Sequence, residues 1–172
     1  MQPREERSGD EQSIAGVHAD AFSMPDHPGR VPAEVVLVDQ LRASHAWIPT
    51  LSLVAVENLR IVGHVLCSRA HVEEVPVLGL GPIGVASAFQ SRGIGTALMG
   101  AVIHAADELG EPLIGLLGAT SYYSRFGFAP ASEVGISSPN PEWGNHFQIL
   151  RLDGYRENIT GRFEYARPFE QV

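Results

Sequence analysis

The sequence predicts a mixed α/β fold, of α+β character, in one domain spanning residues 1 to 172. Two observations carry this expectation. An irregular strand at 75 to 85, a glycine loop, a helix at 93 to 109 and an apolar run at 113 to 117 make one strand–helix–strand crossover. Strand-like segments stand before and after it, so strands and helices mix rather than alternate regularly. A chain of this length can bury a proper core, and it shows no internal repeat, low-complexity segment or linker.

Taken in order, residues 3 to 7 suit a short edge strand. Ser8 and Glu11 fit a capping box for a helix that runs to about Phe22 with Ile14, Val17 and Ala21 inward. Residues 23 to 30 hold two Pro, one Gly and charges, and read as an exposed loop. Pro32 suits the first turn of a second helix that runs to about Ser44 with Val38 and Leu41 buried. Segments 51–57 and 60–69 form a hairpin around Glu57-Asn58. The next strand, 75 to 85, carries Pro76, Pro82 and three glycines, which implies an edge, a bulge or a break in pairing. In the main helix Ile94, Ala97, Leu98, Ala101, Val102, Ala105 and Leu109 recur at helical spacing. After the strand at 113–117, residues 121–128 form a short helical turn ended by Gly127. Segments 146–152 and 162–166 are the last strands.

Composition removes several classes of function. The net charge of −8 argues against general electrostatic binding to nucleic acid or anionic lipid. All twelve basic Lys+Arg positions are Arg. The lack of lysine excludes a Walker A loop, Schiff-base catalysis and pyridoxal phosphate attachment. Cys67 is the single cysteine, so no intrachain disulfide or cysteine-rich zinc site is expected. It sits in the apolar run 61–67 and reads as a small buried strand residue. The first residues lack the apolar segment of a signal peptide, and no stretch approaches a membrane span, so the expected location is the cytoplasm.

The chemistry gathers at Gln90-Ser91-Arg92-Gly93-Ile94-Gly95-Thr96. Two glycines one residue apart let the backbone turn tightly and approach a ligand closely. The amides that follow lack intrahelical partners and carry the positive end of the helix dipole, about half an elementary charge. Such a loop is a natural seat for a phosphate or pyrophosphate. Upstream, Gly79-Leu80-Gly81-Pro82-Ile83-Gly84 satisfies GxGxxG, but Pro82 sits inside it and no long helix opens there. The nearest downstream acid, Asp107, falls within the main helix instead of at a strand end.

With these residues in hand, the chain resembles a GNAT-superfamily N-acetyltransferase, and more narrowly the YhbS-like bacterial branch. The resemblance is carried by the run from Leu80 to Val85, the run from Gln90 to Leu98, and Tyr122-Tyr123-Ser124-Arg125-Phe126-Gly127-Phe128, in that order and spacing. The ending Gly161-Arg162-Phe163-Glu164-Tyr165 with Pro168-Phe169 adds to it. It implies a strongly twisted, mostly antiparallel sheet with splayed central strands, about four helices, and acetyl-CoA as cosubstrate wedged into the splay. Ile83, Gly84 and Val85 would offer backbone groups to the acetyl carbonyl and pantetheine arm. Arg92, Gly93, Ile94, Gly95 and Thr96 would hold the pyrophosphate, with Gln90 at the loop entrance. Tyr123 would be the general acid that protonates the departing CoA thiolate, a role that suits a phenol neutral at pH 7. Tyr122, Phe126 and Phe128 read as aromatic core.

The resemblance thus implies transfer of an acetyl group to a primary amine by direct attack in a ternary complex. The expected partner is a small-molecule or peptide amine, with no nucleic acid and no membrane, and a homodimer is left open. Two alternatives stand beside it: a non-catalytic acyl-CoA-binding module of the same fold, and a transferase for a longer acyl group. Some family members carry a glutamate six residues before the position of Val85; here that position is Gly79. Ala119 stands where the branch often has Asp. His71, Glu73 and Glu74 lie near the expected substrate end but read as solvated turn residues. His64 and His104 read as core or surface histidines, and no His pair has metal-ligand spacing.

Overall fold

Asn58 (φ 51°) and Leu59 (φ 65°) both take the left-handed conformation. That two-residue reversal matches strand twist and folds β2 (Ser52–Glu57) back onto β3 (Arg60–Val72). Glu73 (φ 52°) then turns β3 onto β4 (Val75–Val85), so the first three long strands form a meander. The computed structural model describes residues 1–172. Its other elements are β1 (Arg4–Glu5), α1 (Glu11–Ala21), α2 (Ala33–Arg42), α3 (Ile94–Glu108), β5 (Leu113–Leu117) and α4 (Thr120–Tyr123). The remaining strands are β6 (Ala129–Pro130), β7 (Ile136–Ser137), β8 (Phe147–Arg151) and β9 (Gly161–Glu164).

All nine strands join one sheet in the order β1-β2-β3-β4-β5-β8-β6, with β9 on the far end of β3 and β7 beside β9. Every pairing is antiparallel except β4 with β5 and β7 with β9. The predicted mixed fold with a mostly antiparallel sheet and four α-helices is the observed one. Along β2 and β3 the side chains alternate as the pleat requires. Leu53, Ala55, Val65 and Cys67 face α3 through Leu98, Met99 and Val102. Val54 and Leu66 face α1 and α2 through Ile14, Leu37, Val38 and Leu41. Cys67 is fully buried, and its thiol is pushed up by burial and then by Glu111. No helix is long and apolar enough to cross a membrane.

Several local expectations need correction. The Ser8 capping box does not form: Asp10 is the N-cap and accepts from Arg7 N at 2.8 Å, while Glu11 accepts from Gly9 N at 2.8 Å. Leu109 lies beyond the end of α3 and is exposed; Met99 and Ala106 complete the buried stripe instead. The two-residue strands β6 and β7 are too short to leave a period in the sequence.

One buried polar chain ties α1 to the sheet. His18 Nε2 lies 2.7 Å from His64 Nδ1, and His64 Nε2 lies 2.8 Å from Ser52 Oγ. All three residues are fully buried. Burial lowers His18 to about 4. Burial, then His18 and Arg42, hold His64 well below the ordinary histidine range. Because the folded state refuses the proton that the unfolded state accepts, stability rises with pH across this window and is lost as pH falls from 6.5 toward 4. For His18 alone the loss should be on the order of 3 kcal/mol. Urea unfolding from pH 7 to pH 4 measures it, and His18→Phe should flatten the slope; an unchanged slope would remove His18 as its source.

Candidate active site

The central gap follows from where hydrogen bonding stops. β4 and β5 run parallel but pair only at Leu78↔Ile114 and Gly79↔Gly115. Beyond Gly79, β4 stays with β3 as far as Val85, while β5 stays with β8 as far as Leu117. The two strands therefore part. Ala86 N donates to Val62 O at 2.8 Å, so by antiparallel alternation the peptide groups of Gly84 face β3. Those of Ile83 and Val85 face away from β3, into the gap. Gly84 thus departs from the expectation that all three residues offer backbone groups. Its missing side chain makes room for α1 instead, because a Cβ there would lie 2.8 Å from His18 Nδ1.

The glycine loop stands at one end of the gap. Gly93 (φ 84°) is the N-cap of α3, and Ser91 (φ 62°) also takes the left-handed conformation. A Cβ on Gly93 would meet nothing within 4 Å, so its freedom serves the turn and the open space before the helix, not packing. The N–H groups of Gly93, Ile94, Gly95 and Thr96 have no acceptor in the protein. The first paired amide is Ala97, which donates to Gly93 O at 3.0 Å. Four free amides at the positive end of a fifteen-residue helix fit a pyrophosphate. Gln90 Nε2 donates to Val85 O at 3.0 Å and straps the loop to β4. The Arg92 guanidinium reaches Glu57 at 3.1 Å and lies over the Phe89 ring.

At the other side stand the aromatics of α4. Tyr122 is not simple core: a Cβ on Gly95 would lie 3.2 Å from its hydroxyl, so Tyr122 borders the glycine loop. Tyr123 packs edge-on against Tyr122 and Phe128. It faces a bare Gly118, where a Cβ would overlap its ring. Burial, then the neighbouring Tyr122, raises the Tyr123 phenol above its ordinary value, so it stays protonated and can donate. Ala119 caps α4 through its carbonyl, which accepts from Tyr122 N and Tyr123 N.

Tyr123, Leu80, Ile83 and Leu116 line a cavity of about 670 Å³ that extends from the gap. Its far wall holds Glu34, Trp143, Arg162, Glu164, Tyr165 and Glu170, none of which the motifs singled out as site residues. No local motif in the sequence marks them as a group. Glu34, Glu164 and Glu170 have no ion-pair partner, unlike Glu6, Asp10, Asp39, Glu57 and Glu111. His71, Glu73 and Glu74 are exposed at the β3–β4 turn and do not line the cavity. His64 is a satisfied core histidine, and His104 is exposed on α3. The glycine at 79 also has a steric reason. A Cβ there would lie 2.7 Å from the Tyr165 ring, so no carboxylate fits beside it.

The GNAT acetyltransferase family model matches residues 18–128. The chain is 30% identical over 143 residues to the uncharacterized N-acetyltransferase YhbS of Escherichia coli K12, covering 81% of this chain and 84% of that protein. It is also 30% identical over 145 residues to the uncharacterized N-acetyltransferase YjhQ of the same organism, covering 80% of each. Among solved structures, Escherichia coli YhbS in complex with CoA superposes with a TM-score of 0.84 at 28% identity, covering 98% of this chain and 91% of that one. A GNAT acetyltransferase from Brucella melitensis in complex with acetyl-CoA gives 0.77 at 30% identity, covering 98% and 97%. By sequence and by fold, the chain belongs to the GNAT acetyltransferase family.

Proposed function

We propose that the chain transfers an acetyl group from acetyl-CoA to a primary amine by direct attack in a ternary complex. One observation carries the reading: β4 leaves β5 at a gap bounded by free helix amides on one side and a protonated, half-buried Tyr123 on the other. The free amides from Gly93 to Thr96 would hold the pyrophosphate, and the gap-facing groups of Ile83 and Val85 would receive the amide-bearing arm and the acetyl carbonyl. The neutral amine adds its lone pair to the thioester carbonyl carbon, and the C–S bond breaks as the carbonyl re-forms. The thiolate takes the Tyr123 proton, and the phenolate then recovers a proton from the new amide nitrogen. Charge and atoms balance without a covalent acyl-enzyme, since Cys67 is buried and its thiol is raised. Release of CoA thiol across a panel of amines tests the reaction. Tight acetyl-CoA binding without thiol release would favour a binding module. The apolar Leu80, Leu116 and Leu117 in the cavity wall favour a longer acyl group as the second reading, and comparing acetyl-CoA with butyryl-CoA decides it. The proposed location is the cytoplasm, the compartment that supplies acetyl-CoA.

Three outcomes follow from this reading. Gly93→Val forces a branched side chain into φ 84°, which should cost about 1–3 kcal/mol. It should also abolish acetyl-CoA binding in calorimetric titration of the still-folded protein; wild-type affinity would reject the loop as the pyrophosphate seat. Tyr123→Phe keeps the ring and should lower kcat by about 10² to 10⁴, roughly 3 to 5 kcal/mol of barrier, with acetyl-CoA binding nearly intact. Equal rates would take Tyr123 out of the mechanism. Finally, the unpaired Glu34 on the cavity wall favours a cationic acceptor. Glu34→Gln should raise KM for 1,4-diaminobutane by about two- to fivefold and change that for butylamine less, as expected for a part-exposed charge. An equal effect on both amines would deny it a charge-selecting role.

A further inference from the structure

Tyr165 follows β9 and reaches back over β4. Its ring lies against bare Gly79, where a Cβ would be 2.7 and 2.8 Å from two ring carbons. It is stacked on Phe169 at 4.4 Å and set edge-on to Phe163 at 5.0 Å, so the ring has little freedom. The residue lines the cavity together with Tyr123 and Ile83. Its hydroxyl donates to and accepts from no protein group, yet it is not among the sealed, partnerless buried atoms, which are His18 Nδ1 and Ser68 Oγ. A phenol held rigidly at a cavity wall, with its hydroxyl unpaired and not sealed, is free to meet a polar group that enters the cavity.

We propose that Tyr165 contacts the acceptor: its hydroxyl oxygen accepts a hydrogen bond from an N–H of the attacking amine and aims the nitrogen lone pair toward the thioester. The inference rests on the acyl-transfer reading of the cavity. The group acts as a phenol and not as a base, since burial, then Cys67 and Tyr123, raise its ionisation above the ordinary tyrosine value. Gly79 belongs to the same device. Any side chain there would push the ring, and the hydroxyl with it, away from its aim.

The test compares wild type, Tyr165→Phe and Gly79→Ala by thiol release from acetyl-CoA, with 1,4-diaminobutane and 2-phenylethylamine as probe amines. Acetyl-CoA affinity is measured separately by calorimetry, and melting temperature confirms folding. Tyr165→Phe keeps the aromatic stack and removes one hydrogen bond, so amine KM should rise by about two- to tenfold. kcat should fall by a similar modest factor because the lone pair is no longer aimed, while acetyl-CoA affinity and the pH midpoint of kcat/KM should stay near wild type. Gly79→Ala should raise amine KM in the same way with the hydroxyl present, and the double variant should add little to either single one. An unchanged amine KM in Tyr165→Phe would overturn the proposal, as would a loss confined to acetyl-CoA affinity or a shifted pH midpoint. Failure of the underlying reading looks different: the wild type itself would bind acetyl-CoA and release no thiol with any amine.

Discussion

The organising constraint is the short parallel contact between β4 and β5. Two paired positions hold the halves of the sheet together at Leu78 and Gly79, and hydrogen bonding past them would close the gap. An open strand edge inside a protein is costly unless something satisfies its peptide groups. Val85 O is partly served by the Gln90 side chain, whereas Ile83 faces the opening. The apolar contacts that keep the two halves in place run from Leu78 and Ile114 at the paired rungs to Leu80 and Leu116 at the cavity wall, all packed in one core with α3. The ligand edge is therefore exposed by a core that is complete without it.

Much of this was legible in the residues. The prolines and glycines of 75–85 announced a broken strand edge, and Gly93 and Gly95 announced the start of a helix with free amides. Both signals are local: they report what a few consecutive residues can and cannot do with their backbone. The far wall of the cavity was not legible, because it gathers from α2, from the turn around Trp143, and from β9 and the segment after it. No sequence period marks residues that meet only through the tertiary fold. Tyr122 shows the same limit. In sequence it is one aromatic among four, and only the docking of α4 brings its hydroxyl beside Gly95.

Bare backbone recurs at four positions where an aromatic ring or an imidazole lies close against the chain. Gly79 receives Tyr165, Gly115 receives Phe163, Gly118 receives Tyr123, and Gly84 receives His18. At each position the side chain that would block its neighbour is absent. The paired residues Gly79 and Gly115 sit at the last rungs before β4 and β5 part, so rings from beyond β8 can close over the base of the gap. The cavity is thus shaped as much by missing atoms as by present ones.

Cys67 carries a practical meaning that its lack of chemistry conceals. It is sealed at the centre of β3, opposite Leu80, where β4 begins to separate from β5. A disulfide reagent in solution meets no enzyme thiol while the sheet is closed, so its colour records released CoA alone. Under slow-reclosing conditions the same sulfur becomes a clock. Its labelling rate then counts how often this stretch of sheet opens to water, and a bound ligand that bridges the gap would slow the count.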